Sequence, residues 1–299
     1  MDLHQMVLPI QTAGMISIDR HVPCRLCGGE TTFQFFKLIL NKYQVRYWRC
    51  TKCRSLQTDT PHWLAESYRT VHSATDTGMV ARNWQMAQTT SLLLRLAGVD
   101  AQTPCLDWGG GNGLFCRTMR DQAYNFVNSD KYADPFYCIG FMQEDWGLAV
   151  SDIVTSFEVF EHLPDPAVQL KEILKLDPKI WIFSTQLYAA QDRNWSYLSP
   201  ELGRHVFFYS DVGLSRFAEA HGYRLVRGRE LHMFLKRSDH GYLQGRLQRY
   251  AAFRLLAGAK PAQLAAALHF LSRQRKAYQH WQADSQLIRE KAANACRTH

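Results

Sequence analysis

Leu106-Asp107-Trp108-Gly109-Gly110-Gly111-Asn112-Gly113 is the stretch that decides the fold. The apolar run Pro104–Asp107 leads into it as a short strand, and Leu114–Arg120 leaves it as a helix. Glycines there let the backbone approach a ligand closely, and the helix N-terminus offers unpaired amides. Asp130 ends the next strand-like run, Tyr124–Asp130, where a carboxylate accepts hydrogen bonds from both hydroxyls of a ribose. The spacing excludes two common readings. A dinucleotide fingerprint counted from Gly109 needs glycine where Leu114 stands, and a Walker loop needs a Gly-Lys-Ser/Thr that is absent. Asp107 would also repel a pyrophosphate.

Outward from the turn, strands alternate with helices. Ser151–Phe157 and Lys179–Thr185 read as buried strands, and Ala167–Leu176 reads as the helix between them. Ser210 is placed to cap a helix running to His221, with Gly222 at its C′ position. Tyr223–Val226 and Leu231–Leu235 read as a closing strand pair, and Pro61 to about Gly98 as helical. Such alternation predicts an α/β fold with a doubly wound, mostly parallel sheet.

Upstream lie two cysteine pairs, Cys24-Arg-Leu-Cys27 and Cys50-Thr-Lys-Cys53, with the strand-like runs Thr31–Phe36 and Tyr43–Trp48 between them. Each pair presents two thiolates from one turn, and four thiolates complete a tetrahedral zinc site with no open position. The reading is a zinc ribbon whose Zn²⁺ is structural, contributing folding free energy to a segment too short for its own core.

The turn Leu106–Gly113, Asp130 and Glu158-Val-Phe-Glu-His-Leu163 together resemble class I S-adenosylmethionine-dependent methyltransferases over about residues 75–235. That resemblance implies a seven-stranded Rossmann-like sheet and S-adenosylmethionine as cofactor. It implies that Asp107, Gly109, Gly110, Gly111 and Gly113 surround the methionyl part, Asp130 binds ribose, and Phe157 and Glu158 line the pocket. Adenine falls to Met142, Asp145 and Trp146. A carboxylate at Asp107 suits a sulfonium cofactor that carries an ammonium group. With the cysteine pairs in front, the chain is similar to zinc-binding bacterial methyltransferases of sugar and polysaccharide modification, which carry a large extra C-terminal domain where this chain has a basic segment of about 64 residues.

Methyl transfer is an in-line displacement, and a base is needed only where the acceptor must lose a proton. His162, after the fourth strand, and His205, in Gly203–Phe208, are the catalytic candidates, with Glu161 or Tyr188 available to orient a hydroxyl. The alternative for both histidines is a loop-fixing role. No Asn/Asp-Pro-Pro-aromatic sequence follows the fourth strand, and no cysteine stands beside the fourth or fifth; Cys138 lies in a loop region and Cys296 in the tail. A small-molecule or sugar acceptor is therefore expected ahead of nucleic acid.

The net charge of +8 is a property of the tail. Residues 236–299 carry +9 and the rest −1. Nucleic-acid or protein docking by ribbon and tail is the rival reading. The boundaries expected are 1–60 for the ribbon, 61–235 for the methyltransferase-like domain and 236–299 for a helical extension. In that extension Leu243, Leu247, Ala251 and Leu255 make one stripe and Leu264, Leu268 and Leu271 another, suited to packing or self-association. Residues 1–20 show no periodicity and read as a loosely held lead-in. No membrane-length apolar run and no signal peptide is read, so a cytoplasmic location is expected.

Overall fold

The computed structural model describes residues 22–69, 78–228, 231–238 and 283–290. The expected tail stripes, the lead-in at residues 1–20 and Cys296 lie outside them. Among the described residues no helix is long and apolar enough to cross a membrane.

Two sheets form the frame. Strands β1 (Thr31–Ile39), β2 (Tyr43–Cys50) and β3 (Leu56–Thr58) follow the first knuckle. Leu40 and Asn41 both take positive φ (52° and 54°), the geometry of a type I′ hairpin turn between β1 and β2. Helices α1 (Leu64–Ser67) and α2 (Met79–Ala97) come next, the second ended by left-handed Gly98. The alternating part contains β4 (Cys105–Trp108), α3 (Leu114–Asp121), β5 (Phe126–Ser129), β6 (Ile153–Ser156), α4 (Pro166–Leu174) and β7 (Ile180–Ser184). It closes with β8 (Phe207–Phe208), α5 (Asp211–Ala220), β9 (Tyr223–Arg227) and β10 (Leu231–Lys236). Ser210 caps α5 by accepting from the Gly213 amide at 2.9 Å, and His221 and left-handed Gly222 end it.

The larger sheet runs β5-β4-β6-β7-β10-β9, parallel except for antiparallel β10. Residues of β6 and β7 are all buried, as strands covered on both faces must be. Side chains alternate between two cores: Leu106, Val127, Val154, Trp181 and Phe183 face α4 and α5, whereas Cys105, Phe126, Ile153, Ile180 and Ile182 face α2 and α3. Strand order reverses between β4 and β6, and their carboxyl ends open the crevice where such folds bind ligands.

Six of the seven expected strands are continuous among the described residues. The seventh position, outside β5, is held by one parallel bridge between Asn128 and Met142. Residues 131–150 contain Pro135, Gly140 and Gly147, which deny that segment a continuous ladder.

The smaller sheet is antiparallel, in the order β1-β2-β3-β8. Its last strand comes from beyond β7, so the cysteine-bearing segment shares a sheet with the domain it precedes. Residues 283–290 are helical and return onto α3, where buried Asp284 meets Arg120 at 2.7 Å.

Candidate active site

The turn after β4 sits over two buried oxygens that have no hydrogen-bond partner. Asp107 is 1% exposed; its Oδ1 accepts from Thr155 Oγ1 at 2.7 Å, while its Oδ2 is unpartnered. Asn128 donates from Nδ2 to the Gly111 carbonyl at 3.2 Å, and its Oδ1 is unpartnered too. Both orphan oxygens face Gly110: a Cβ there would lie 2.1 Å from each. Two acceptors beneath a cradle only glycine leaves open suit a cationic, N–H-rich group such as a methionyl ammonium. Burial pushes the Asp107 carboxyl up to about 7, against the Thr155 bond, which lowers it.

Gly111 N donates to Asp130 Oδ2 at 2.9 Å, while Asp130 Oδ1 accepts from the amides of Tyr132 (2.8 Å) and Ala133 (2.9 Å). The half-buried carboxylate is thus fixed at the lip of the turn. Gly113 is the N-cap of α3. The residues expected at adenine lie beyond β5. Met142, 8% exposed, donates its amide to Asp145 Oδ2 at 3.0 Å, and the Trp146 indole stands half-exposed 6.0 Å from Phe141.

The segment after β6 borders this turn directly. Gly109, at φ +75°, packs so closely on Val159 that a Cβ would fall 2.7 Å from Cγ2. Phe157 packs edge-on against Phe115 at 4.8 Å. Exposed Glu158 holds a left-handed backbone, φ +54°, a strained position for a residue with a Cβ. Ser184 at the end of β7 secures it, accepting from the Glu158 amide and donating to Oε1, each at 2.7 Å.

One turn on, Glu161, His162 and His205 bring their metal-capable atoms within 4.8 Å of one another. The imidazoles lie 4.9 Å apart, nearly perpendicular. His162 Nδ1 contacts the Arg204 carbonyl at 3.2 Å and His205 Nδ1 the Tyr197 carbonyl at 2.5 Å. A carbonyl only accepts, so both rings carry their proton on Nδ1 and leave Nε2 as a bare lone pair. Burial, with the neighbouring His205, holds His162 down to about 3, and burial lowers His205. Both rings are neutral at physiological pH. Glu161 is fully buried with neither carboxylate oxygen partnered, and burial, then the Glu158 charge, push it up to about 8.

Tyr197, Thr185 and Tyr68 also belong to this neighbourhood, and no motif in the sequence marks them. The Tyr197 ring lies 4.6 Å from His205, and its hydroxyl is 3.3 Å from Thr185 Oγ1. Tyr68 stacks on Tyr132 at 5.6 Å and lies 6.5 Å from His162, so an aromatic bridge joins the Asp130 lip to the histidine pair. Tyr188 instead packs near Trp195 in the core of the smaller sheet. Only the strand order brings these tyrosines in.

The four knuckle cysteines form the second cluster, with all four sulfurs within 4.8 Å. The Cys24–Cys53 and Cys27–Cys50 sulfurs are each 3.6 Å apart, close to the ~3.8 Å between thiolates on one tetrahedral zinc ion. The shared proton with Cys53 and burial raise Cys24, while Cys53, hydrogen-bonded by Cys24, is lowered to about 5. Four sulfurs drawn together at that spacing, two from each knuckle, are a donor set that fits Zn²⁺.

Residues 81–227 match the model of a methyltransferase domain family. No curated protein matches the sequence. Among solved structures, the magnesium protoporphyrin IX methyltransferase of Synechocystis PCC 6803, with bound SAH, is similar at 13% identity over 58% of this chain and 94% of that one, with a TM-score of 0.40. The 1,6-didemethyltoxoflavin-N1-methyltransferase of Burkholderia thailandensis is 14% identical over 62% and 95%, TM-score 0.41. The small RNA methyltransferase HEN1 is 17% identical over 50% and 24%, TM-score 0.35. The family match over residues 81–227 and the β5-β4-β6-β7-β10-β9 sheet agree on a methyltransferase fold for that part of the chain.

Proposed function

We propose that the chain methylates a hydroxyl of a small molecule, with a saccharide as the favoured acceptor class, and that its four cysteines hold a structural Zn²⁺. One observation carries this reading: His162 and His205 each anchor Nδ1 on a backbone carbonyl, which leaves Nε2 bare, and they cluster with Glu161 on the segments that follow β6 and precede β8. When bound, S-adenosylmethionine supplies a methyl group on a positively charged sulfur. The chain's own residues do the rest. Asp107 and Asn128 present unpartnered oxygens to the ammonium end, and Asp130, held by three backbone amides, presents its one remaining lone pair, on Oδ2, to the ribose. The histidine pair serves the acceptor, activating its hydroxyl for attack as the new O–C bond forms. Tyr68 and Tyr132 lie between the two halves, where the exposed Tyr132 ring gives a sugar face something to stack on.

Nucleic acid is the alternative acceptor, favoured by the +9 charge of residues 236–299, whose apolar stripes would also serve self-association. None of the described cysteines is paired in a disulfide, which suits a reducing compartment such as the cytoplasm. The test is to incubate the chain with S-adenosylmethionine and a panel of activated sugars, small alcohols and phenols, and RNA, reading S-adenosylhomocysteine release. Release with a hydroxyl-bearing small molecule, lost in His162→Ala, is expected. Release with RNA alone would transfer the reading to the alternative.

A further inference from the structure

We propose that Glu161, His162 and His205 form a second metal site, which holds a divalent cation on the acceptor side of the crevice. Its purpose rests on the methyltransferase reading; its existence rests on geometry alone.

Three features point to an ion. The donor atoms lie within 4.8 Å of one another, somewhat wider than the ~3–3.4 Å between neighbouring ligands of one ion at ~2.1 Å bonds, a gap that side-chain rotation closes. Each imidazole already spends Nδ1–H on a backbone carbonyl, Arg204 for His162 and Tyr197 for His205. Metal-ligating histidines are fixed in this way, with the second nitrogen anchored and the lone pair of the first aimed at the metal. Finally, Glu161 is 0% exposed and neither oxygen has a hydrogen-bond partner among the described residues, a condition native proteins rarely leave uncompensated.

The neighbouring groups do not supply the missing charge. Arg204 donates from Nε to the Ser67 carbonyl and lies over the Tyr68 ring at 5.1 Å. Arg25 donates to the carbonyls of Pro164, Thr58 and Val206. The hydroxyls of Tyr197 and Thr185 bond to each other and also favour the charged form of Glu161, but they are neutral and bring no positive charge.

Two imidazoles and one carboxylate leave coordination positions open, and an acceptor hydroxyl fills one. The ion then acidifies that hydroxyl, whose proton passes to water. The oxygen attacks the methyl carbon of S-adenosylmethionine; the O–C bond forms, the C–S bond breaks, and its electron pair stays on sulfur as the neutral thioether. The histidine pair thus activates the hydroxyl through the cation rather than as a free base.

The test uses the full chain with its cysteine site filled by zinc, titrated with Mn²⁺, a hard ion that thiolates do not favour. Free Mn²⁺ is read by electron paramagnetic resonance, and S-adenosylmethionine binding is read in parallel by calorimetry. One Mn²⁺ per chain is expected, with affinity lowered at least about tenfold in Glu161→Gln and in His205→Gln. Asp130→Ala, which loses the cofactor, keeps the ion. Absence of Mn²⁺ binding in the wild type, or unchanged affinity in Glu161→Gln, overturns the site. If S-adenosylmethionine still binds in that case, the methyltransferase reading stands with the imidazoles as direct bases. Mn²⁺ binding without cofactor binding would instead keep the metal site and overturn the methyltransferase reading.

Discussion

The guanidinium of Arg25, inside the first cysteine knuckle, donates to the carbonyl of Val206 at 2.6 Å. Val206 in turn donates its amide to the Glu161 carbonyl at 2.8 Å, and Arg25 also holds the Pro164 carbonyl at 3.0 Å. The knuckle therefore grips both loops that carry the histidine pair, one residue from His205 and two from His162. Burial lowers the Arg25 guanidinium to about 10, which leaves it charged at neutral pH. Arg25→Ala is expected to cost about 2–3 kcal/mol in denaturant unfolding, the range for hydrogen bonds to a charged group. Methyl transfer should fall while S-adenosylmethionine affinity stays within about twofold, because Arg25 touches nothing at the glycine turn. A variant with normal turnover would show that the ribbon only caps the fold.

Zinc should be stoichiometric with the chain. Metal analysis is expected to give one Zn²⁺ fewer per chain in Cys53→Ser than in the wild type. Ser210 at the α5 N-cap donates to the Cys53 carbonyl, so loosening the second knuckle frees the start of that helix. Chelation should therefore lower the melting temperature of the whole domain, since in small zinc sites binding free energy on the order of 10 kcal/mol is folding free energy. Zinc-free protein that melts unchanged would remove the structural role.

Asp107 predicts a pH dependence of stability in the cofactor-free chain. Its carboxyl titrates at about 7 when folded, against an ordinary 3.8, because burial disfavours the charge. Between these values the folded state binds more protons than the unfolded one, so its contribution is fully present below 3.8 and is lost as pH rises through about 7. The lost stability is at most about 4 kcal/mol. Asp107→Asn should flatten this decline, which urea unfolding between about pH 5 and 8 would measure. Parallel curves for the two proteins would contradict the buried charge.

Asp284 should anchor the helical residues 283–290. Burial raises its carboxyl, but hydrogen bonds and charge from Arg120, then Arg117, outweigh that and hold it below the usual range. Such a group stabilises the fold above its unfolded pKa and loses that contribution as pH falls through the folded one. Asp284→Ala leaves Arg120, 3% exposed, buried without its carboxylate, at a cost of about 3–5 kcal/mol. The double variant Arg120→Met/Asp284→Ala should recover much of it. A loss below about 1 kcal/mol for Asp284→Ala would show that the C-terminal segment docks weakly.

The elements set by local chemistry are legible in the sequence. The Asp107–Gly113 turn, the Ser210 cap and the strands flanking the cysteine pairs each declare themselves within a short window of residues. Contacts set by topology are not. Nothing in Phe207-Phe208 says that it pairs with Leu56-Gln57, yet that pairing puts His205 beside His162. Arg25 looks like filler between two cysteines, and only the fold supplies the carbonyls it holds. The seventh strand position shows the opposite relation: family likeness implies it, while Pro135, Gly140 and Gly147 keep the segment to one bridge.

Everything proposed for the crevice depends on the glycine turn and Asp130 binding S-adenosylmethionine. Calorimetric titration of the full chain with S-adenosylmethionine, run beside Asp130→Ala, is the decisive measurement. One site per chain is expected, weakened about 10–100-fold in the variant by loss of hydrogen bonds to a charged group. A wild-type chain that takes up no S-adenosylmethionine, or a variant that binds it equally well, would rule that binding mode out.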